Sequence, residues 1–367
     1  MTFYILVFSF CIGIALIAQN ELSTQNNKKN YSLGVFLVFS LLFIISAIRF
    51  NVGTDYIVYQ NHAKNILALP FKEAVKEFEF FFIVLVHASN YLTNSMQFFY
   101  VIIAFVMLFF LHKGLVYHNK KIAIPIFLLF LTTTYFMSLN IMRQMTSFAI
   151  GLYSIKHIEH EKTKNFYALI LFAFLWHKSA ILFFFFPFLR KKDITKHAFL
   201  GIALFASLNQ IINKFVFNFL VSRGLPLSYY FKLQEEHTSL FLIAISAFIF
   251  FTGHFLTKEK TRNGILYLNI NYLILILSIF TNGVPGGHRL VYVLWPFYIV
   301  ICPYIINNSI LKQKHVLTLI YTIVFFSFFY KNQILANNSE VLPYRTIFEN
   351  ICTNSINYNI TNSIYFS

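Results

Sequence analysis

Long apolar runs alternate with short polar segments along the whole chain. The runs near 2–18, 31–48, 96–111, 122–139, 142–158, 197–219, 238–256, 265–281, 290–306 and 316–330 approach the roughly 20 mostly apolar residues that a helix needs to cross the hydrocarbon core. Two further pieces break the rhythm. The piece 80–91 is short and carries His87, and as a full crossing it would put the next basic loop on the wrong side, so an interfacial or re-entrant helix is expected there. The piece 166–189 is interrupted by Trp176-His177-Lys178-Ser179, and a single crossing would carry Arg190-Lys191-Lys192 to the opposite side. That pattern predicts two short arms that dip in and return with His177 at the tip, a break tolerated only where it is buried in protein or lines a cavity.

The expected fold class is therefore all-α: a polytopic helical membrane protein of about ten transmembrane helices, with re-entrant or interfacial helices near 80–91 and 166–189. Residues 1–331 read as a single membrane domain and 332–367, rich in Asn, Ser, Ile and Tyr, as an extracytoplasmic tail. The first run lacks a basic segment ahead of it and a small-residue cleavage site, so it is expected to stay as a first helix with its N-terminus outside. No internal repeat is visible.

Composition supports this reading: 58% of the 367 residues are hydrophobic, 11% are charged, and 48 are Phe. The net charge of +16 would suggest nucleic acid in a soluble chain. Here the Lys and Arg residues sit in short clusters between apolar runs, as in cytoplasmic loops, and no nucleic-acid partner is expected. Cys11, Cys302 and Cys352 have no paired spacing, which argues against a disulfide framework or a metal site. With no Asp-rich or His-Glu-x-x-His pattern either, neither a metal nor a cofactor is expected.

Assigning the basic loops to one side leaves the loop 49–55 on the other, and the remaining chemistry gathers with it. Arg49, Arg143, His177 and Arg289, with His288 beside the last, stand at the outer ends of apolar runs. An Arg at membrane depth keeps its charge, so it faces the bundle interior and either pairs with an acid or binds an anion. Arg49 also fits a helix end that snorkels. Arg143 sits in a hairpin tip that has no other charge, and Arg289 follows a glycine-rich run from Gly283 to Gly287. Asp55, in a turn with Gly53, Thr54 and Tyr56, could be a general base or an ion-pair partner of Arg49 or Arg143. Glu79 is a second acid, either catalytic or a solvated interfacial charge. His177 suits proton transfer or an interhelical hydrogen bond.

The order Arg-x-x-x-Gly-Thr-Asp-Tyr at 49–56 with Tyr59, then Met142-Arg143-Gln144, Phe174-Leu175-Trp176-His177-Lys178-Ser179 and His288-Arg289 resembles the EpsG/Wzy-type membrane proteins of polysaccharide biosynthesis, from about residue 30 to Pro343-Tyr344. The resemblance implies a metal-independent glycosyltransferase in the bacterial cytoplasmic membrane. It would join polyprenyl-diphosphate-linked oligosaccharide repeat units at the outer face, towards O antigen, capsule or exopolysaccharide. Arg143 and Arg289 would then clamp the diphosphate, with His288 and Tyr56 at the substrate. Asp55, His177 or Glu79 would activate the acceptor hydroxyl, and Arg49 would support Asp55 or the diphosphate. The implied partners are the lipid-linked oligosaccharide, the bilayer, and a chain-length regulator and flippase of the same pathway. Two other readings use the same outer-face residues: a ligase-like or acyl-transferring membrane enzyme, and a flippase for the lipid-linked unit.

Overall fold

A computed structural model gives the fold and describes residues 1–119, 121–222, 240–258, 261–282 and 287–348. Most of the loop expected over 221–237, the glycine run up to Gly286 and the tail beyond Phe348 lie outside the described residues. The protein is 83% helical, and its described residues form no strand, only two isolated β-bridges. It is an all-α polytopic membrane protein.

Helices α1 (Thr2–Thr24) and α2 (Lys28–Ile48) form the opening hairpin. They approach closely at Gly34, where a Cβ would lie 2.6 Å from that of Ala18, the small-residue contact by which helices associate in lipid. On α1, Tyr4, Cys11, Ala15 and Ala18 are buried on one side, while Leu6, Phe10 and Ile17 on the other are 66%, 62% and 67% exposed. A helix apolar on its exposed face as well as its buried one is solvated by lipid.

Three short helices follow: α3 (Tyr56–Ala68), α4 (Phe71–Glu77) and α5 (Phe80–Thr93). The bundle resumes with α6 (Gln97–His118), the bent pair α7 (Ala123–Leu131) and α8 (Thr134–Asn140), and α9 (Met142–Glu159). The 57° bend falls at Thr132-Thr133, where Thr133 has φ 60°; the Trp295 Nε1 donates to the Thr132 carbonyl at 3.0 Å, satisfying an acceptor that the break exposes. Helix α10 (Thr163–Trp176) ends at His177, and a 3-10 arm (Lys178–Phe185) packs back against it before α11 (Phe186–Lys191). The expected dip and return is thus a helical hairpin with His177 at its tip.

The second half contains α12 (Ala198–Ser222), α13 (Leu240–Leu256) and α14 (Arg262–Phe280). It closes with α15 (His288–Leu294), a 3-10 turn, α16 (Tyr298–Asn308) and α17 (Lys314–Phe329). Asn269, buried in α14, donates to the carbonyls of Leu189 and Lys192 and accepts from the Ile194 N–H, so one amide satisfies the loose backbone after α11. Among the described residues, α1, α2, α6, α14 and the stretch His288–Asn308 are long and apolar enough to cross a membrane, with α7–α8 a sixth as a bent pair. Of the other expected crossings, α13 and α17 are shorter, at 17 and 16 residues, and α9 carries Arg143 and Lys156 inside it.

Side-chain contacts sort the loops to two ends. At one end the Tyr117 hydroxyl donates to Glu159, Arg190 to Asn263 and the Ile158 carbonyl, and Ala123 N–H to Gln19, so the basic loops after α1, α6, α9 and α11 lie together. At the other end Gln97 donates to the Ala47 carbonyl, Tyr344 to that of Ile45, and Gly53 lies against Asn140. The loop 49–55 belongs to this second end.

Candidate functional site

The site is built where the ends of several segments meet. Helix α2 stops at Arg49, and the chain then turns through Asn51, at φ 50°, and Gly53, at φ 104°. A side chain at Gly53 would be strained by that backbone and would collide with Asn140, with the Leu139 carbonyl 2.8 Å from its Cβ, so glycine lets the loop press onto the hairpin tip. The tail holds the loop from the opposite side. Phe50 N–H donates to Arg345 O at 2.9 Å, Gly53 N–H to Glu340 O at 3.0 Å and Thr54 N–H to Ser339 O at 3.2 Å.

Against this seam opens a cavity of about 400 Å³ whose charged lining is Asp55, His288, Arg289 and Lys331. Thr133 and Asn140 of the bent pair and Gln333 of the tail add polar groups, and Leu242 and Phe328 an apolar wall. Asp55 forms no salt bridge among the described residues, and neither does Arg289, which is exposed. The Arg289 carbonyl accepts from Gln144 at 3.4 Å, which ties α15 to the start of α9. Three cationic or proton-carrying side chains facing one carboxylate suit an anion with several oxygens.

Beside the cavity lies a second cluster. Arg143 is ion-paired with Glu79, their side chains 17% and 11% exposed, and the guanidinium stacks over Phe82 at 4.5 Å and Tyr59 at 5.4 Å. His177 Nε2 is 4.0 Å from the other Glu79 oxygen. Its Nδ1 accepts the Ser179 N–H at 3.3 Å and lies 2.8 Å from the Ser179 hydroxyl. An Nδ1 that accepts assigns the ring proton to Nε2, so the neutral ring points a donor at Glu79. Burial pushes His177 down to about 4; Glu79 opposes this, and Arg143, Lys178 and Arg289 reinforce it. His62 on α3 is lowered as well, by burial and by Arg143, against Asp55 and Glu79. The Gln144–Arg289 contact, one residue on from Arg143, ties this cluster to the cavity that Asp55 and Arg289 line.

Not every residue singled out from sequence reaches the cavity. Arg49 is 1% exposed beneath the loop, its guanidinium against the Met142 sulfur and 5.2 Å from the Tyr100 ring centre. Tyr56 is buried and stacked on Tyr100 at 4.7 Å. Arg143 pairs with Glu79, where the sequence left Asp55 open as its partner. Lys331 was missed: it ends the last apolar run as Arg49 ends the second, but it marked only the border of the tail. Gln333 and Asn140 carried no signal beyond polarity.

The fold and these groups define a multi-pass helical membrane protein with a cation-rich cavity at one end of its bundle. A family model described as the EpsG family matches residues 32–346, and the chain belongs to that family, which is associated with polysaccharide biosynthesis. No curated protein and no solved structure matches the chain.

Proposed function

We propose that the protein is a polymerase that transfers oligosaccharide repeat units carried on a polyprenyl diphosphate, working at the outer face of the bacterial cytoplasmic membrane. The observation that carries this reading is the single cavity where Arg289, Lys331 and His288 face Asp55, within a chain of the EpsG family. The cations hold the diphosphate and offset the charge that grows on it as it leaves. The acceptor hydroxyl attacks the anomeric carbon, the carbon–oxygen bond to the diphosphate breaks with its electron pair leaving on phosphate, and the hydroxyl proton passes to a base. Asp55 fits that base best, because Glu79 is tied to Arg143 and His177 presents a donor. The Arg143–Glu79–His177 group then sets the position of the hairpin tips around the cavity. The basic loops at the far end support an outer position for the cavity by the positive-inside rule.

Incubating the purified protein with a polyprenyl-diphosphate-linked repeat unit tests this. Wild type yields a ladder of products. Asp55→Asn and Arg289→Ala each slow it by about 100-fold or more, the scale of a lost base or charge-stabilising donor. Movement of the lipid-linked unit between vesicle leaflets without any ladder would replace the polymerase with a flippase.

A further inference from the structure

A second cleft, of about 310 Å³, lies on the same seam between loop and tail, and Thr54 lines both it and the cavity above. The segment 337–340 divides them: Asn338 and Ser339 line the cavity, Asn337 and Glu340 the cleft. Its polar walls are Asn51 from the loop and Asn337, Glu340 and Arg345 from the tail, with Leu342 and Pro343 as an apolar face.

The two spaces differ in charge. The cavity sets two fixed cations and a histidine against one carboxylate, whereas the cleft balances one carboxylate with one guanidinium and adds two amides. Glu340 and Arg345 form no salt bridge with each other among the described residues, so both keep hydrogen-bonding capacity for something else. Asn337 lines the cleft and is held there by its donation to the Leu342 carbonyl at 3.1 Å. The backbone is also held in unusual shapes here: Asn51, Asn337 and Glu340 have φ of 50°, 44° and 46°. A neutral space of this volume, lined by donors and acceptors together with the aliphatic Ile57, Leu342 and Pro343, suits an uncharged polyhydroxyl ligand with apolar C–H faces.

We propose that this cleft is a glycan subsite, holding sugar units of the oligosaccharide next to the one that reacts in the cavity. It rests on the polymerase reading for its place in the reaction, and on its own geometry for sugar binding. In this arrangement Thr54 is the threshold, the diphosphate lies on the Arg289 and Lys331 side, and the glycan runs over the seam to Asn51, Glu340 and Arg345.

The probe is the repeat-unit oligosaccharide released from its carrier in the producing cells by mild acid, titrated calorimetrically into full-length protein in nanodiscs. Sugar-free polyprenyl diphosphate is titrated in parallel. The variants are Asn51→Gly and Glu340→Gly, which keep the left-handed backbone while removing the polar group, and Arg345→Ala, whose backbone carbonyl still serves Phe50. Wild type is expected to bind the oligosaccharide, and the triple variant at least tenfold more weakly, with binding of polyprenyl diphosphate unchanged. Equal oligosaccharide binding by wild type and variant overturns the subsite, as does no oligosaccharide binding by wild type. A parallel loss of polyprenyl diphosphate binding also overturns it, because the three side chains would then support the whole site. Oligosaccharide binding that depends on these three side chains, in a protein that builds no ladder, keeps the subsite and discards the polymerase.

Discussion

At the scale of single residues, the Arg143–Glu79 pair shows how cost and position combine. Both side chains are largely removed from solvent, and each supplies the other's only permanent opposite charge within salt-bridge distance among the described residues. Removing one member leaves a charge without its partner, a penalty of about 3 kcal/mol, the lower end of the range for buried pairs because both groups keep some exposure. Arg143→Met and Glu79→Gln should each lower stability by about that amount in detergent unfolding experiments, and the double variant should lose clearly less than the sum. Additive losses would mean that the two side chains do not depend on each other. Gly53 acts through the backbone instead. Gly53→Ala meets both a φ of 104° and the Asn140 side chain, and should cost about 2 kcal/mol. Gly13, in the middle of α1 with nothing within 4 Å of a Cβ, is the control at which Ala should cost nothing and can gain about 0.5–1 kcal/mol.

At the scale of elements, His177 makes the junction between α10 and the 3-10 arm a titrating one. Its value of about 4 in the folded protein lies below the ordinary 6.5, so between those two pH values the unfolded chain binds more protons than the folded one. Stability should therefore rise as pH climbs from about 4 to 6.5 and level off above, and His177→Asn should flatten that part of the profile in thermal melts taken across the range. The break itself was legible in sequence, because Trp176-His177-Lys178-Ser179 interrupts an apolar run and the basic stretch after it has to return to its own side. The bend at Thr132-Thr133 was not. It falls within a run of apolar and threonine residues with no proline or glycine at the turn, and it is held by the distant Trp295. The charged candidates were legible as interruptions of hydrophobic runs; which acid meets which cation was not, since Arg143 and Glu79 are 64 residues apart. Nor does sequence separate Arg49, buried under the loop, from Arg289, open to the cavity: both end a polar–apolar boundary, and only packing around Tyr100 and Met142 distinguishes them.

At the scale of the whole molecule, the first loop and the tail form one unit although nearly 300 positions separate them, Tyr344 reaching back 299 residues to the Ile45 carbonyl. The tail supplies three backbone acceptors to Phe50, Gly53 and Thr54, and Tyr344 stacks on Phe3 at 4.4 Å. It also contributes Gln333, Asn338 and Ser339 to the cavity, so its described part is a wall of the site. The spanning helices rest on each other through buried apolar faces of their own, and the tail adds Val341, with Leu342 and Tyr344 against it, to that core. Ending the chain after Leu335 should accordingly leave helical content by circular dichroism unchanged, and abolish product ladders. It should also make the peptide bond after Arg49, buried in the intact protein, a site of rapid trypsin cleavage. If the truncated protein resists trypsin at Arg49 as the full chain does, the loop holds its shape without the tail, and the seam does not order the site. If it is cut there and inactive while still helical, the loop owes its conformation to the tail, and Asp55 faces the cations because the two ends of the chain meet.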